Sequence, residues 1–299
     1  MAVALVVHIT CTLAIKDDTI TSTGWKDQIE YMMERDTKMY PEGIQATRKI
    51  VWHRLMQTHA DILRSKPCSV MEFGVYTGGG LREWVRLANS SGIHGCTLWG
   101  FDSFAGLPDE DVHLKPAGTE HNPGWNAGGI NTADTMGIHS WPALSRQLKK
   151  NIIEQSDARV HFVRGFYNES LAEGARLVER LKMVPPLIVD LDCDLYVSTL
   201  PAMRFLLDFK LLVPGVFVYM DDVAAPHWKG RHGPKATHMA KAFAEITSEY
   251  GIKWRYLMPN ASKVSSTATG LYMPDHQKPL SIRFWRPLLQ MLVCQKCAA

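Results

Sequence analysis

Short apolar runs alternate along this chain with segments whose apolar residues recur at helical spacing. Ser69 to Phe73, Cys96 to Phe101, Val160 to Arg164, Leu187 to Leu191 and Val213 to Met220 read as strands. Leu81 to Ala88, Leu144 to Ile153, Leu171 to Leu181 and about Thr199 to Asp208 read as helices between them. Ala236 to Tyr250 follows as a helix with Met239, Phe243 and Ile246 on one face. Upstream, Ile50, Val51, Leu55, Met56, Ile62 and Leu63 predict a helix over Ala46 to Leu63, and Pro67 prevents its continuation. Trp254 to Met258 and Thr269 to Met273 predict a terminal antiparallel pair. Strands alternating with helices predict an α/β fold with a parallel sheet covered on both faces.

Two regions break this rhythm. Asp109 to Trp141 is rich in Gly, Pro, Asn and His and has no clean period. A stretch this long inside a compact domain is functional or disordered, and Trp125, Trp141, His113, His121 and His139 favour a lid over substrate. Residues 16–45 are polar and read as a helical or lid segment. The expected organisation is an N-terminal extension over 1–66 (lid or dimer contacts), a main domain over 67–275 with a lid insertion at about 109–142, and a C-terminal tail over 276–299.

Composition narrows the function classes. With 46% hydrophobic and 21% charged residues the chain reads as an ordinary globular protein. A net charge of +3 without a basic stripe argues against nucleic acid as a partner. The apolar start, Met1 to Ile15, has no basic residue before Lys16, which argues against a signal peptide. It is too short to span a bilayer, so no membrane partner is expected. Cysteines 11, 68, 96, 193, 294 and 297 show no regular framework and read as reduced thiols of a cytoplasmic protein. Cys294 and Cys297 form a C-x-x-C that reads as a loose tail.

The chemistry lies at strand ends. Val189 to Leu200 reads V-D-L-D-C-D-L-Y-V-S-T-L, and Tyr219 to Val223 reads Y-M-D-D-V. A buried ionised carboxylate needs a partner or a metal. A hard divalent cation on Asp192, Asp221 and Asp222 meets that need: magnesium, or equally manganese or calcium. Asp192 can instead stand behind Asp194 on the metal, Asp194 can cap the next helix, and Asp221-Asp222 can be a turn.

The other half of the site is M-E-F-G-V-Y-T-G-G-G, a glycine turn between a strand and a helix. That context places a cofactor at the carboxyl end of the strand. Glu72 precedes the first glycine, where a pyrophosphate would be repelled, and the dinucleotide spacing is absent. The sulfonium and amino group of S-adenosylmethionine suit an acid there. Asp102, ending G-F-D-S-F, is placed for ribose hydroxyls. The expected cofactor-facing positions are Glu72, Gly74, Val75, Tyr76, Thr77, Gly78, Asp102, Ser103, Gly165 and Asp192.

Four strings, M-E-F-G-V-Y-T-G-G-G, G-F-D-S-F-A-G-L-P-D, D-L-D-C-D-L-Y-V-S-T and V-Y-M-D-D, resemble the macrocin-type (TylF/MycF) O-methyltransferases over about residues 70 to 225. The resemblance implies a Rossmann-like class I methyltransferase fold with a mostly parallel seven-stranded sheet, S-adenosylmethionine as donor, magnesium, and a homodimer. It also implies Asp192, Asp221 and Asp222 as metal ligands and Asp194 as general base. His227, just after the aspartate pair, is a second base candidate. The expected reaction is methyl transfer to a hydroxyl of a small molecule, a sugar or glycosylated natural product. A non-catalytic donor-binding module, a nicotinamide oxidoreductase and a nucleic-acid methyltransferase are the rival classes. Glu72 and the glycine spacing disfavour the oxidoreductase. The carboxylates standing where an N-P-P-Y-like motif would be disfavour the nucleic-acid enzyme.

Overall fold

The computed structural model describes residues 19–20, 48–111, 113–114, 126–154, 156–221, 238–257, 288–294 and 296–298. In chain order its elements are β1 (Thr19–Ile20), α1 (Arg48–Thr58), α2 (Ala60–Ser65), β2 (Ser69–Phe73), α3 (Gly79–Ser90) and β3 (Thr97–Asp102). There follow α4 (Thr132–Met136), α5 (Trp141–Ile153), β4 (Arg159–Arg164), α6 (Tyr167–Ser170), α7 (Gly174–Leu181) and β5 (Ile188–Leu191). The chain continues through α8 (Tyr196–Asp208), β6 (Phe217–Met220), α9 (His238–Tyr250), β7 (Ile252–Tyr256) and β8 (Leu288–Cys294).

The strands form one sheet in the order β1-β7-β8-β6-β5-β2-β3-β4. β4, β3, β2, β5 and β6 are parallel neighbours. β8 runs antiparallel between β6 and β7, and the two-residue β1 adds an edge. Seven main strands, mostly parallel with one reversed, match the expected class I methyltransferase fold.

Period-two alternation sorts the buried strands into two layers. Val70, Leu98, Ile188 and Phe217 pack with α1, α2, α3 and α5. Met71, Phe101, Val189 and Val218 pack with α6 to α9 on the other face. On that second face the Phe73 and Phe101 rings stack with centroids 4.3 Å apart. Both faces are apolar because α–β crossovers cover both faces of a parallel sheet.

Three expectations are corrected. The expected tail contains a strand: β8 lies inside the sheet and pairs with β6 and β7, while 276–287 and Thr269 to Met273 lie outside the described residues. The helix over Ala46 to Leu63 divides at His59 into α1 and α2. Four of the cysteines are not free thiols: Cys68 is bonded to Cys96 and Cys294 to Cys297. Cys68 and Cys96 stand just before register partners Ser69 and Thr97, which brings their sulfurs together. Cys193 remains a buried free thiol. No helix among the described residues is long and apolar enough to cross a membrane.

Candidate active site

A row of register partners crosses the sheet: Gly100, Glu72, Asp190 and Tyr219 on β3, β2, β5 and β6. It lies on the face covered by α1 and α3. The same alternation places Glu72 two positions beyond Val70 and Asp190 two beyond Ile188, so two carboxylates enter an apolar layer. Both are essentially unexposed.

Their partner comes from α1. Arg48 Nε donates to Asp190 Oδ2 at 2.7 Å, and Nη2 lies 3.4 Å from Glu72 Oε1 and 2.7 Å from Asp192 Oδ2. Trp84 of α3 also donates to Asp190 Oδ2 at 2.6 Å, and the buried Oδ1 has no hydrogen-bond partner among the described residues. The Arg48 guanidinium lies 5.3 Å from the centroid of the Tyr219 ring. Tyr219 in turn donates to Asp221 Oδ1 at 2.7 Å.

The charge balance is uneven. Burial opposes the Arg48 charge, but Asp190, Glu72 and Asp192 more than offset this, so its proton is held more tightly than in water. Burial and the Asp190 charge push Glu72 well above the usual carboxylate range, against the pull of Arg48. Burial raises Asp190 as well, although Arg48 and Trp84 counter it. Burial, Asp221 and Asp190 push Asp192 well up. Its side chain is nonetheless 27% exposed, so water reaches it from one side.

That side is a cavity of about 950 Å³ at the carboxyl ends of β2, β3, β4 and β5. From the glycine turn it is lined by Glu72, Gly74, Val75, Tyr76 and Thr77. Asp102, Ser103, Gly165, Asp192 and Asp194 complete the predicted residues found there. Gly78 caps α3 with a left-handed backbone and faces Ile152 instead. Asp221 is buried beside Tyr219 and is not part of the lining. Asp222 and His227 lie outside the described residues.

Two glycines are required by close approach. A Cβ on Gly74, at φ +95°, would fall 1.7 Å from the Asp192 carbonyl oxygen. A Cβ on Gly80 would fall 1.8 Å from Glu72 Oε1 and 2.9 Å from Arg48 Cζ. Gly74 and Gly80 are glycines because the Asp192 backbone and the Arg48–Glu72 pair occupy the space a side chain would need there.

Asp102 does more than face the cavity. Its Oδ2 accepts the N–H groups of Val75 and Tyr76 at 2.8 and 2.9 Å, and Oδ1 accepts that of Phe104 at 2.6 Å. Burial raises its pKa, and these three donors counter the rise. It joins the two loops that form the cavity floor. Over them, Leu107 exchanges backbone hydrogen bonds with Gly128 and Gly129, and Tyr76 Oη lies 3.0 Å from Thr135 Oγ1. Part of the predicted lid is therefore docked. Glu110, unmarked in the sequence reading, accepts the Val197 N–H at 2.8 Å and closes the orphan end of α8.

Arg48, Asp190, Trp84 and Tyr219 were likewise unmarked. Asp190 carried a signal, since it precedes Asp192 by two and shares its face. Arg48 carried none.

A parallel sheet with a reversed strand between β6 and β7, and a glycine-turn cavity at its carboxyl edge, defines a class I methyltransferase. Residues 50–249 match the macrocin-O-methyltransferase (TylF) family, and the chain belongs to that family of S-adenosylmethionine-dependent O-methyltransferases. One relative is the 8-demethyl-8-(2,3-dimethoxy-alpha-L-rhamnosyl)-tetracenomycin-C 4'-O-methyltransferase of Streptomyces olivaceus. It is 26% identical over 206 residues, covering 65% of this chain and 68% of its own. Among solved structures, the O-methyltransferase NovP is 19% identical with a TM-score of 0.42, covering 67% of this chain and 71% of its own. The calicheamicin methyltransferase CalS11 is 19% identical with a TM-score of 0.44, covering 89% and 92%.

Proposed function

We propose that the protein methylates a sugar hydroxyl of a glycosylated natural product, assisted by a hard divalent cation at the ends of β5 and β6. The observation that carries the reading is Asp192, an acid held by Arg48 at the wall of the cavity. The named relative acts on the 4' position of a rhamnosylated tetracenomycin, which supports a sugar acceptor.

The residues fit a hard cation. Asp192 and Asp221 are neighbours at adjoining strand ends, where the Asp221 N–H donates to the Leu191 carbonyl at 2.9 Å. Burial first and then the Asp221 charge raise the Asp192 pKa, and a cation between the two would favour the ionised form. All donor atoms are carboxylate oxygens, the hard set that magnesium or manganese takes. Glu72, Asp190 and Asp192 also converge within 4.8 Å, but the Arg48 guanidinium already lies among them and Glu72 and Asp190 are fully buried, so Asp192, Asp221 and Asp222 remain the proposed ligands. A bound divalent ion would lower the pKa of an acceptor hydroxyl and orient it.

The protein's own groups supply the rest. Glu72 and the turn through Thr77 hold the donor's charged end, and Asp102 and Ser103 face its ribose. Asp194, half-buried at φ +60° just ahead of α8, is aimed by that turn at the cavity. The acceptor oxygen attacks the methyl carbon, the carbon–sulfur bond breaks, and Asp194 takes the hydroxyl proton. Holding oxygen and carbon in line supplies much of the rate.

Calorimetry with S-adenosylmethionine, and with NAD as control, tests the donor. Turnover of rhamnosylated acceptors with and without magnesium tests the metal. Asp221→Asn is expected to abolish turnover while sparing donor binding. Turnover that survives both magnesium removal and Asp221→Asn would overturn the metal assignment.

A further inference from the structure

Three carboxylates meet Arg48, but they do not do the same thing. Asp190 is fully buried, and Arg48 Nε shares its Oδ2 with Trp84. Glu72 is buried and its Oε2 also accepts the Leu81 N–H at 3.2 Å, at the start of α3. Each of those two has a second fixed donor. Asp192 is the most exposed of the three at the cavity, its side chain 27% exposed against 1% for Glu72 and 0% for Asp190, and Arg48 Nη2 lies 2.7 Å from it.

We infer that Arg48 is a positioning residue for the transfer reaction: it holds Asp192 at the cavity wall and ties α1 to the donor site. Nε is anchored on Asp190, and Nη2 is shared between Glu72 at 3.4 Å and Asp192 at 2.7 Å, so the direction of the arm reaching Asp192 is set by the rigid guanidinium plane. The planar fork suits this, because an ammonium cannot hold separate carboxylates along set directions. Gly80 completes the seat, since any side chain there would meet Glu72 and the guanidinium carbon. The residues that the family resemblance marks lie between about 70 and 225. Arg48 acts on them from a helix ahead of the strand.

This rests on the proposed role of Asp192 in the site, and a thermodynamic cycle separates the two. Donor affinity is measured by calorimetry with S-adenosylmethionine alone for the native protein, Arg48→Lys, Asp192→Asn and the double variant. Each single change is expected to weaken binding by about tenfold, and the double to be no weaker than the worse single, because contacting residues are non-additive. Free guanidinium is expected to restore Arg48→Ala, a rescue that a purely structural loss would not show. Losses that add, or native affinity in Arg48→Lys, would overturn the inference. Where Arg48→Lys does not fold, Arg48→Gln, which keeps N–H donors without the charge, is read in the same way. Native protein that does not bind the donor would sink the functional reading instead, and Asp192→Asn with native affinity would sink the role of Asp192.

Discussion

Glu72 and Asp190 are register partners on neighbouring parallel strands, two carboxylates side by side in the protein interior with Arg48 across them. Both have folded-state pKa values above their ordinary ones. The folded protein therefore binds more protons than the unfolded chain above pH ~4, where free carboxylates ionise. Their contribution is fully present below that pH and is lost as pH rises toward the folded values, by up to about 1.4 kcal/mol per pH unit for each group. Urea unfolding without ligands, from pH 4 to 8, should show Glu72→Gln gaining on the native protein as pH rises. A constant difference across the range would contradict the raised pKa. The same variant should bind S-adenosylmethionine more weakly.

Gly74→Ala probes the contact between β2 and β5. The new methyl meets a backbone carbonyl at 1.7 Å, and the residue sits in the left-handed region. Neither conflict is relieved by turning a side chain. A loss of more than about 2 kcal/mol is expected, within the range for strain at a special backbone position combined with overpacking. Gly79→Ala, where a methyl would meet nothing within 4 Å, is the control and should be near neutral. Equal stabilities in denaturant would show that the turn is not held against Asp192.

The disulfides give a prediction about redox state. Cys68–Cys96 closes a loop with a sequence separation of 28, and Cys294–Cys297 one of 3. Loop-closure entropy assigns the longer about 3–4 kcal/mol and the shorter much less. Mass analysis of protein alkylated under denaturing, non-reducing conditions should leave those four cysteines unmodified and label Cys193. Cys68→Ser should lower stability far more than Cys297→Ser. Labelling of all of them would restore the reading of reduced thiols.

The parallel core was legible because strands buried on both faces are continuous apolar runs. Ser69 to Phe73, read from such a run, is the observed β2. The glycine turn and Asp102 were legible because a strand before them and a helix after them fixed their place. Less visible were features that depend on distant segments meeting. Arg48 is one basic residue among many and lies 144 positions from Asp192. β8 has the apolar content of a strand, but the 31 residues between Tyr256 and Leu288 hide its pairing with β7. Cys68 and Cys96 become neighbours only once β2 and β3 are in register.

Asp102 separates ligand contact from loop construction. The sequence reading gives it a ribose to hold, whereas the structure gives it three main-chain N–H groups from two loops. A carboxylate accepts at both oxygens. In Asp102→Asn one oxygen becomes an amino group, which must face either the Phe104 N–H or the pair from Val75 and Tyr76. Leaving such donors unmet costs about 1–3 kcal/mol each. Asp102→Asn should therefore lower unfolding free energy even without ligand, and amide exchange at Tyr76 or Phe104 should quicken. Were ribose contact its sole role, the variant would lose donor affinity while stability and exchange stayed native. Loss of both together is the outcome the geometry predicts, because the loops that Asp102 joins are the floor of the cavity.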